Sequence, residues 1–458
     1  MIGGTLRQWA PHAGGILVGD DGPWQGIALD SRMVQPGMLF AALPGRHADG
    51  HAFVADACAR GAAAALVSHR GPYSCPCIVV EDVQTALGAM ARRWRRGFSL
   101  PVVAVTGSSG KTTTRALLQA ILEQRGPVLA STGNQNNELG VPITLSRLGQ
   151  EHHAAVVELG ARAPGDIAYL AEMTRPTVGV VLNAGPAHLE TFGSVAGVAR
   201  AKGELLAHLG PGAVAAYNAD DRFAHLWRVL AGTHSQIPFG IESEAPVYPS
   251  RLVQRQGGEG STFCLHVPTG SVMVHLPLPG LHNVYNALAA AAAATVMGCS
   301  PEEIAMGLAG VHPVAGRLVP YVLGRHMLLD DSYNANPASL EAAMRTACQW
   351  QPRAWWLCLG DMLELGDQSL EAHEQAGRLA RSLGFVRCYA LGRWAGDVVA
   401  AFGDGARRFT SSMALLQTLC ADLKESGEAC GVLIKGSRAM GLDVVSKGLR
   451  EWAMGHAS

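Results

Sequence analysis

Hydrophobic and polar positions follow two different periods along this chain. Val102–Thr106 and Ala64–Val67 are short apolar runs, which predict buried strands. Residues 112–125 instead place apolar side chains on one helical face and end before a glycine. From about residue 315 the alternation starts again, with strands predicted at residues 327–331, 355–359, 388–391 and 432–435. Strands that alternate with helices predict an α/β fold with parallel sheets covered by helices.

The pattern divides the chain into three predicted domains. Residues 1–81 combine short strands and turns with an alanine-rich helix, residues 82–314 alternate strands and helices around a glycine-rich turn, and residues 315–458 hold the second alternation. A length of 458 residues also suits about three domains. We expect a small mixed α/β domain, a central parallel-sheet domain and a C-terminal Rossmann-like domain. No predicted strand is followed by G-x-G-x-x-G, so a nicotinamide or flavin site has little support.

Composition and charge argue against several classes of partner. Hydrophobic residues make up 48% of the chain and charged residues 16%, and the formal net charge is −1. These values describe a globular protein with no overall attraction for nucleic acid. Four arginines at positions 92, 93, 95 and 96 are the local exception, and we expect them to form the solvated end of a helix that starts at Asp82.

The N-terminus and the cysteines favour a cytoplasmic protein. The first ten residues lack the basic start and apolar core of a signal peptide. The longest apolar stretch, residues 287–299, is too short to span a bilayer. The ten cysteines show no zinc-binding spacing, since a single residue separates Cys75 from Cys77. We expect free thiols in a reducing compartment.

The segment with the clearest chemistry follows the strand Val102–Thr106. It has the sequence GSSGKTT, a glycine-rich turn that leads into a predicted helix. Backbone N–H groups converge at such a turn, the helix dipole favours negative charge, and Lys111 adds a full positive charge. Thr112 is placed to offer its hydroxyl to a nucleotide-bound Mg²⁺. The predicted nucleotide phosphate site comprises Gly107, Ser108, Ser109, Gly110, Lys111, Thr112 and Thr113.

The loop departs from the general Walker pattern in one position. Val105 stands where that pattern has its first glycine, which leaves the shorter T-G-S-S-G-K-T. This form resembles the Mur ligases, which join amino acids or peptides to a cell-wall precursor, and their relative folylpolyglutamate synthase. The resemblance implies an ATP-dependent ligase.

Three further residues extend the predicted site towards metal binding. Glu158 ends an apolar run, and an acid at such a strand end commonly binds Mg²⁺ in phosphate-loop enzymes. His188 follows another predicted strand, and Lys202 lies in a helical segment. The resemblance implies that His188 and Lys202, the latter carbamylated by carbon dioxide, help to bind a second Mg²⁺. A carbamate requires a lysine that is neutral for part of the time, which burial can provide.

Three other segments carry the resemblance over nearly the whole chain. Residues 280–287 are similar to the family's G-x-H-N-x-x-N-A, which implies that His282 and Asn283 lie near the adenine. Gly316-Arg317 resembles the family's step between domains, whose arginine reaches the terminal phosphates. Residues 330–337 resemble the segment with a ribose-binding aspartate, best matched by Asp331.

Four segments resemble one branch of the family. Residues 132–142 resemble a loop near the substrate, which implies substrate contacts for Asn134, Asn136 and Asn137. Ser31 and Arg32 lie in a region similar to the UDP-binding domain of that branch, and residues 360–366 and 435–438 resemble its C-terminal signatures. The branch adds D-alanyl-D-alanine to UDP-N-acetylmuramoyl-tripeptide (UDP-MurNAc-tripeptide) in peptidoglycan synthesis. It therefore implies ATP, two Mg²⁺ ions and small-molecule substrates, with catalysis by Lys111, Lys202, His188 and Arg317.

Two alternatives stay open at this level. A folylpolyglutamate synthase-like ligase shares the loop but lacks the additional N-terminal domain. A phosphate-loop regulatory switch would give no reason for His188, Lys202 or a second α/β unit bearing Asp331. The sequence leaves open whether the third residue of the tripeptide is meso-diaminopimelate or L-lysine, which residues bind the dipeptide, and the oligomeric state.

Overall fold

A computed structural model describes residues 1–45, 48–255, 258–351 and 354–455. Its strands are β1 (Gly3–Thr5), β2 (Ile16–Val18), β3 (Pro23–Gln25), β4 (Ile27–Ala28), β5 (Leu39–Ala41), β6 (Ala64–Val67), β7 (Cys77–Val79), β8 (Val102–Thr106), β9 (Val128–Ala130), β10 (Ala154–Glu158), β11 (Val178–Val181), β12 (Val214–Tyr217), β13 (Ser235–Gln236), β14 (Tyr248–Gln254), β15 (Ser261–Val267), β16 (Gly270–Leu276), β17 (Val319–Leu323), β18 (His326–Asp331), β19 (Ala354–Gly360), β20 (Arg387–Leu391), β21 (Ala406–Phe409) and β22 (Cys430–Lys435).

The α-helices lie between these strands. They are α1 (Leu6–Trp9), α2 (Val54–Ala59), α3 (Val83–Arg95), α4 (Lys111–Leu122), α5 (Gly140–Ser146), α6 (Asp166–Thr174), α7 (Leu189–Phe192), α8 (Val195–Ala207), α9 (Ala224–Leu230), α10 (Leu281–Val296), α11 (Pro301–Ala309), α12 (Pro337–Cys348), α13 (Ser369–Ser382), α14 (Ala395–Phe402), α15 (Ser412–Glu425) and α16 (Asp443–Gly455).

The central domain is built on a six-stranded parallel sheet, as the alternation predicts. Its strand order is β13-β12-β11-β8-β10-β9, so β8 lies inside the sheet. Alternate residues of β8 face two different cores: Val102 and Ala104 pack on one side, and Val103 and Val105 on the side covered by α4 and α10. Burial on both faces explains why β8 is continuously apolar rather than alternating. The carboxyl end of β8 leads directly into the glycine-rich loop.

The C-terminal domain holds a second six-stranded sheet, ordered β17-β18-β22-β19-β20-β21. The four predicted strands are confirmed, and the carboxyl ends of β18, β22 and β19 lie side by side. Two edge strands, β17 and β21, were not predicted. β17 runs antiparallel to β18 and contains Pro320, a residue that an edge strand tolerates and an internal strand does not.

The N-terminal domain is a small mixed unit. Its five-stranded sheet has the order β2-β7-β6-β5-β4, in which only β2 runs antiparallel to its neighbour. α3 packs Val83, Leu87 and Met90 into this domain's core, while Ala91 faces the central core. This helix therefore joins the two domains. The boundaries 1–81, 82–314 and 315–458 stay predictions.

One element of the central domain has no counterpart in the predicted alternation. β14, β15 and β16 form a three-stranded antiparallel sheet. In β15 the buried residues Phe263, Leu265 and Val267 alternate with half-buried neighbours. This period of two is the usual signal of a sheet with one covered face.

The prediction of a solvated arginine cluster is wrong for Arg95. This side chain is 6% exposed and donates to the carbonyls of Thr174 at 3.0 Å, Phe98 at 2.6 Å and Leu100 at 3.2 Å. Burial is tolerated because backbone oxygens satisfy the guanidinium donors. Arg95 thus ties the end of α3 to the loops before β8 and β11.

The prediction of free thiols is also wrong for two cysteines. Cys58 and Cys75 form a disulfide across a separation of 17 residues. Their Cα atoms lie 5.8 Å apart, within the usual range for such a bond. The pairing depends on the tertiary contact between the end of α2 and the loop before β7, which spacing does not reveal. Within the described ranges, no helix is long and apolar enough to cross a membrane.

Candidate active site

One cavity of about 1320 Å³ lies where the three domains meet. Of the residues predicted to form the site, only Ser31 and Arg32 are missing from the described part of its wall. The predicted residues that line it are Gly107, Ser108, Ser109, Gly110, Lys111, Thr112, Thr113, Asn134, Asn136, Asn137, Glu158, His188, Lys202, His282, Asn283, Arg317 and Asp331. The structure therefore gathers residues that are up to 224 positions apart into one space, from Gly107 to Asp331 (331 − 107).

The glycine-rich loop is held open by specific contacts. Gly110 has a φ of 85° and lies against Asn286, so a side chain there would be strained and would collide with Oδ1 of Asn286. The Asn183 side chain accepts from the N–H of Ser109 at 3.0 Å and donates to its carbonyl at 3.2 Å. Lys111 Nζ donates to the carbonyl of Gly107 at 2.8 Å. These contacts preorganise the backbone N–H groups for phosphate.

Glu158 and Thr112 form the part of the wall best suited to Mg²⁺. Thr112 Oγ1 donates to Glu158 Oε2 at 3.0 Å, and Asn136 Nδ2 donates to Oε1 at 2.8 Å. In the described residues no cluster of three or more His, Cys, Asp or Glu side chains could hold a metal ion. A hydroxyl and one carboxylate nevertheless fit Mg²⁺, because this ion usually takes its other ligands from substrate phosphates and water.

Lys202 is a deeply buried cation of the site. The residue is 2% exposed, and its pKa is lowered from 10.5 to about 7 by burial and then by the charge of Lys111. Burial also lowers the pKa of Lys111, although Glu158 partly opposes this effect. Lys202 is therefore neutral for much of the time near neutral pH.

The nucleotide side of the cavity contains a hydrogen-bond donor that has no partner among the described residues. The Arg317 guanidinium lies over the ring of Tyr333 at 4.1 Å and reaches Thr112 Oγ1 at 3.4 Å. Its Nε atom is buried and has no hydrogen-bond partner among the described residues. A buried donor of this kind is normally satisfied, so its position beside the loop fits an anionic ligand.

Two of the predicted nucleotide contacts are tied to other residues. Asp331 forms a buried ion pair with Lys435, which also donates to the carbonyl of Asn334 at 3.0 Å. Asn283 donates to the carbonyl of Pro279 at 2.7 Å, so its amide also supports the start of α10. Burial lowers the pKa of His282 to about 4, with a smaller effect from Lys435, so its ring is neutral at neutral pH.

The predicted substrate contacts Ser31 and Arg32 of the N-terminal domain are not among the residues that line the cavity. Ser31 is buried, and Arg32 points outward with 80% of its side chain exposed, paired with Asp30 at 2.6 Å. Asp30 and Met33, next to them in the chain, do line the cavity. The side chain of Asn137, another predicted substrate contact, already has one hydrogen-bond partner, because its Oδ1 accepts from the N–H of Gly140 at 2.9 Å.

Several cavity residues were missed by reasoning on the sequence. They are Asp30, Tyr333, Glu364, Lys435 and Arg438. Glu364 and Arg438 lie inside the two recognised C-terminal signatures, residues 360–366 and 435–438. The sequence therefore indicated the segments, but not which of their residues line the cavity. Which member of each segment faces the cavity is decided by the backbone.

Comparison with known proteins identifies the family. Three family models match: "Mur ligase family, catalytic domain" at residues 23–95, "Mur ligase middle domain" at 105–294, and "Mur ligase, glutamate ligase domain" at 316–438. The UDP-N-acetylmuramoyl-tripeptide–D-alanyl-D-alanine ligase of Escherichia coli (strain K12) is 40% identical over 98% of this chain and 99% of its own. The chain belongs to the Mur ligase family.

Solved structures match this Mur ligase through all three domains. MurF from Acinetobacter baumannii superposes with a TM-score of 0.93 at 34% identity, covering 98% of this chain and 99% of that chain. MurF ligase from Thermotoga maritima in complex with ADP gives a TM-score of 0.84 at 26% identity, covering 94% of this chain and 99% of that chain. The predicted three-domain α/β architecture and the predicted family are both confirmed.

Proposed function

We propose that this Mur ligase uses ATP to join D-alanyl-D-alanine to UDP-MurNAc-tripeptide, giving the UDP-MurNAc-pentapeptide of peptidoglycan synthesis. The observation that carries the proposal is a single cavity walled by the phosphate loop and by both outer domains. It occurs in a chain that is 40% identical over 98% of its length to a ligase of that name. A regulatory switch would need a binding site for its nucleotide, but not a cavity whose walls come from three domains.

The chemistry follows from the need to activate a carboxylate. The terminal carboxylate of the tripeptide attacks the γ-phosphorus of ATP, which breaks the bond to ADP and gives an acyl phosphate. The neutral amine of the dipeptide then attacks the acyl carbon, and phosphate leaves with the formation of the amide. Lys111 and Arg317 neutralise charge on the transferring phosphoryl group. Holding three substrates in one cavity contributes effective molarities of about 10⁵ M or more.

Mg²⁺ would be held by Thr112 and Glu158 on one side and by His188 and Lys202 on the other, and it would neutralise phosphate charge. Lys202 would serve as a carbamate, because an ammonium group cannot bind a cation and Mg²⁺ takes oxygen ligands rather than an amine nitrogen. Its neutral amine would add to the carbon of carbon dioxide and release one proton, leaving two anionic oxygens. The lowered pKa of Lys202, about 7, supports this reaction near neutral pH.

The three substrates would occupy different walls. The N-terminal wall around Asp30, with Ser31 and Arg32 behind it, would bind the UDP group, and Asn134 and Asn136 would lie along the peptide. The dipeptide would bind at the carboxyl ends of β18, β22 and β19, the usual ligand position in such sheets. Arg438 stands there with 61% of its side chain exposed and is paired with Asp443 at 3.3 Å, so a ligand carboxylate would share or replace this exposed ion pair.

The test is reconstitution with defined substrates. Purified protein is incubated with ATP, Mg²⁺, D-alanyl-D-alanine and either the meso-diaminopimelate or the L-lysine form of UDP-MurNAc-tripeptide. We expect ADP release that depends on the dipeptide, and a pentapeptide product by mass spectrometry with one or both forms. Release of ADP without amide product from either form would contradict the proposal and favour a nucleotide switch.

A further inference from the structure

A hydrogen bond across the cleft joins two residues from different domains. His188 follows β11 of the central domain, and Glu364 follows β19 of the C-terminal domain. Nδ1 of His188 lies 2.8 Å from Oε2 of Glu364. A carboxylate can only accept, so a hydrogen bond at this contact requires the hydrogen on Nδ1, and in the Nδ1–H tautomer the lone pair lies on Nε2.

Both residues hold a backbone conformation that favours glycine. The φ angles are 53° for His188 and 66° for Glu364, and the described residues contain only three other non-glycine residues with positive φ. Such a conformation costs free energy in a residue with a side chain, and it persists where the surroundings enforce it. Two residues in this conformation are therefore in direct contact across a domain boundary.

The loop that presents Glu364 is anchored on three sides within its own domain. The Asp361 carboxylate accepts from the N–H groups of Arg393 at 2.7 Å and Trp394 at 3.1 Å. The N–H of Met362 donates to His373 at 2.9 Å, and that of Leu363 donates to Ser437 Oγ at 2.9 Å. These bonds hold the backbone that leads into Glu364, whose side chain is 52% exposed.

The backbones also approach closely beside this contact. Gly366, with a φ of 56°, lies so near the start of α7 that a Cβ there would be 3.3 Å from Cα of Glu190. The loop therefore docks on the central domain as a unit, and the His188–Glu364 bond forms only when the two domains meet in this arrangement.

We propose that Glu364 is a positioning residue that fixes His188 as the Nδ1–H tautomer and so prepares Nε2 to bind a cation once the C-terminal domain has closed. This inference rests on the proposed function. Histidines that bind metals commonly donate their other N–H to a carboxylate, which sets the tautomer and the orientation of the ring. Here the carboxylate comes from another domain, which makes completion of the cation site depend on domain closure.

The test uses two variants and a matched control. Glu364→Gly removes the carboxylate and suits the positive φ, so its unfolding temperature should equal or exceed that of the wild type. Glu364→Gln keeps the length and a weaker, neutral acceptor. Glu374→Gln on α13 removes a carboxylate of the same domain that pairs with Arg378 on the helix surface, at 3.2 Å.

The first readout is independent of turnover. Spectra of protein labelled with ¹⁵N-histidine report the tautomer of each ring, and the His188 signal is assigned by its loss in His188→Gln. We expect the Nδ1–H form in the wild type and in Glu374→Gln, and a mixture of tautomers in Glu364→Gly. An unchanged His188 tautomer in Glu364→Gly would overturn the proposal.

The second readout is kinetic. Loss of such a carboxylate typically costs about 10- to 100-fold in activity or metal affinity, so kcat of Glu364→Gly should fall by that factor. The KM for UDP-MurNAc-tripeptide should change less than twofold, and Glu364→Gln should retain an intermediate kcat. A kcat of Glu364→Gly within twofold of wild type overturns the proposal whatever the spectra show. If the wild type forms no pentapeptide, the proposed function fails, while the spectra still decide whether Glu364 sets the tautomer.

Discussion

Replacement of Lys202 tests the least visible part of the proposed chemistry. The side chain is 2% exposed, and a simple surface lysine would not be placed there. If Lys202 acts as a carbamate, the site needs a pair of anionic oxygens at that point. Lys202→Ala should then be nearly inactive, and Lys202→Arg should not replace lysine, because guanidinium stays protonated.

The magnitude follows from the pKa of the buried amine. With a pKa of about 7, Lys202 is about 90% neutral at pH 8, whereas a solvated lysine with the ordinary pKa of 10.5 is about 0.3% neutral. The site thus raises the reactive form by about 300-fold. As a carbamate, Lys202 would hold an ion that neutralises phosphate charge, and removing one part of such electrostatic stabilisation costs about 10²- to 10³-fold in kcat, which is the loss expected for Lys202→Ala.

The assay combines turnover with direct detection of the carbamate. ADP release is measured for Lys202→Ala with and without formate or acetate, either of which should restore part of the rate by supplying a carboxylate. Protein equilibrated with ¹³C-bicarbonate should show one carbamate signal that is absent in Lys202→Ala. Lys202→Met, which keeps the apolar volume, reports whether folding survives. Wild-type turnover in Lys202→Arg would refute the carbamate.

Three further outcomes are expected. Lys111→Ala should lose about 10²- to 10³-fold in kcat and keep its unfolding temperature, because Lys111 neutralises phosphate charge. The control Lys447→Ala, which changes an exposed lysine, should keep the wild-type kcat. Unchanged turnover in Lys111→Ala would remove the loop from the mechanism. Arg32→Ala should weaken binding of UDP-MurNAc-tripeptide, measured by calorimetry, by about 10- to 100-fold and leave ATP binding unchanged. Arg7→Ala, which changes another exposed arginine of the N-terminal domain, is the control. Equal losses for both ligands would contradict the assignment of UDP binding to the N-terminal domain. Because the pKa of Lys202 is about 7 in the folded chain and 10.5 for a solvated lysine, the unfolded state binds more protons between these values. The free energy of unfolding in carbon dioxide-free buffer should therefore rise with pH relative to Lys202→Met, by up to about 1.4 kcal/mol per pH unit, and a flat difference would refute the lowered pKa.

The sequence by itself determined the local architecture of the ligase. Strand β8, the loop and α4 follow from a continuous apolar run, two glycines and a helical apolar face, all of which act over a few residues. Pro337 begins α12, with Asn336 as its cap, and the first turn of a helix is a position that suits proline. The resemblance to the family added further residues to the predicted site, because each of them lies in a segment with a recognisable sequence. Such features can be predicted from the sequence because the interactions that cause them act between residues close together in the chain.

Only the tertiary structure decided which side chains meet and which are buried. The sequence alone does not show that Arg95 lies against backbone carbonyls or that Cys58 reaches Cys75. Nor does it show that Ser31 and Arg32 are not among the residues that line the cavity. Burial of Lys202, which lowers its pKa, depends on how α8 packs between other elements. The bond from His188 to Glu364 requires two sheets to meet at their carboxyl ends. These contacts join residues far apart in the chain, and their energies depend on desolvation and distance, which exist only once the domains have packed together.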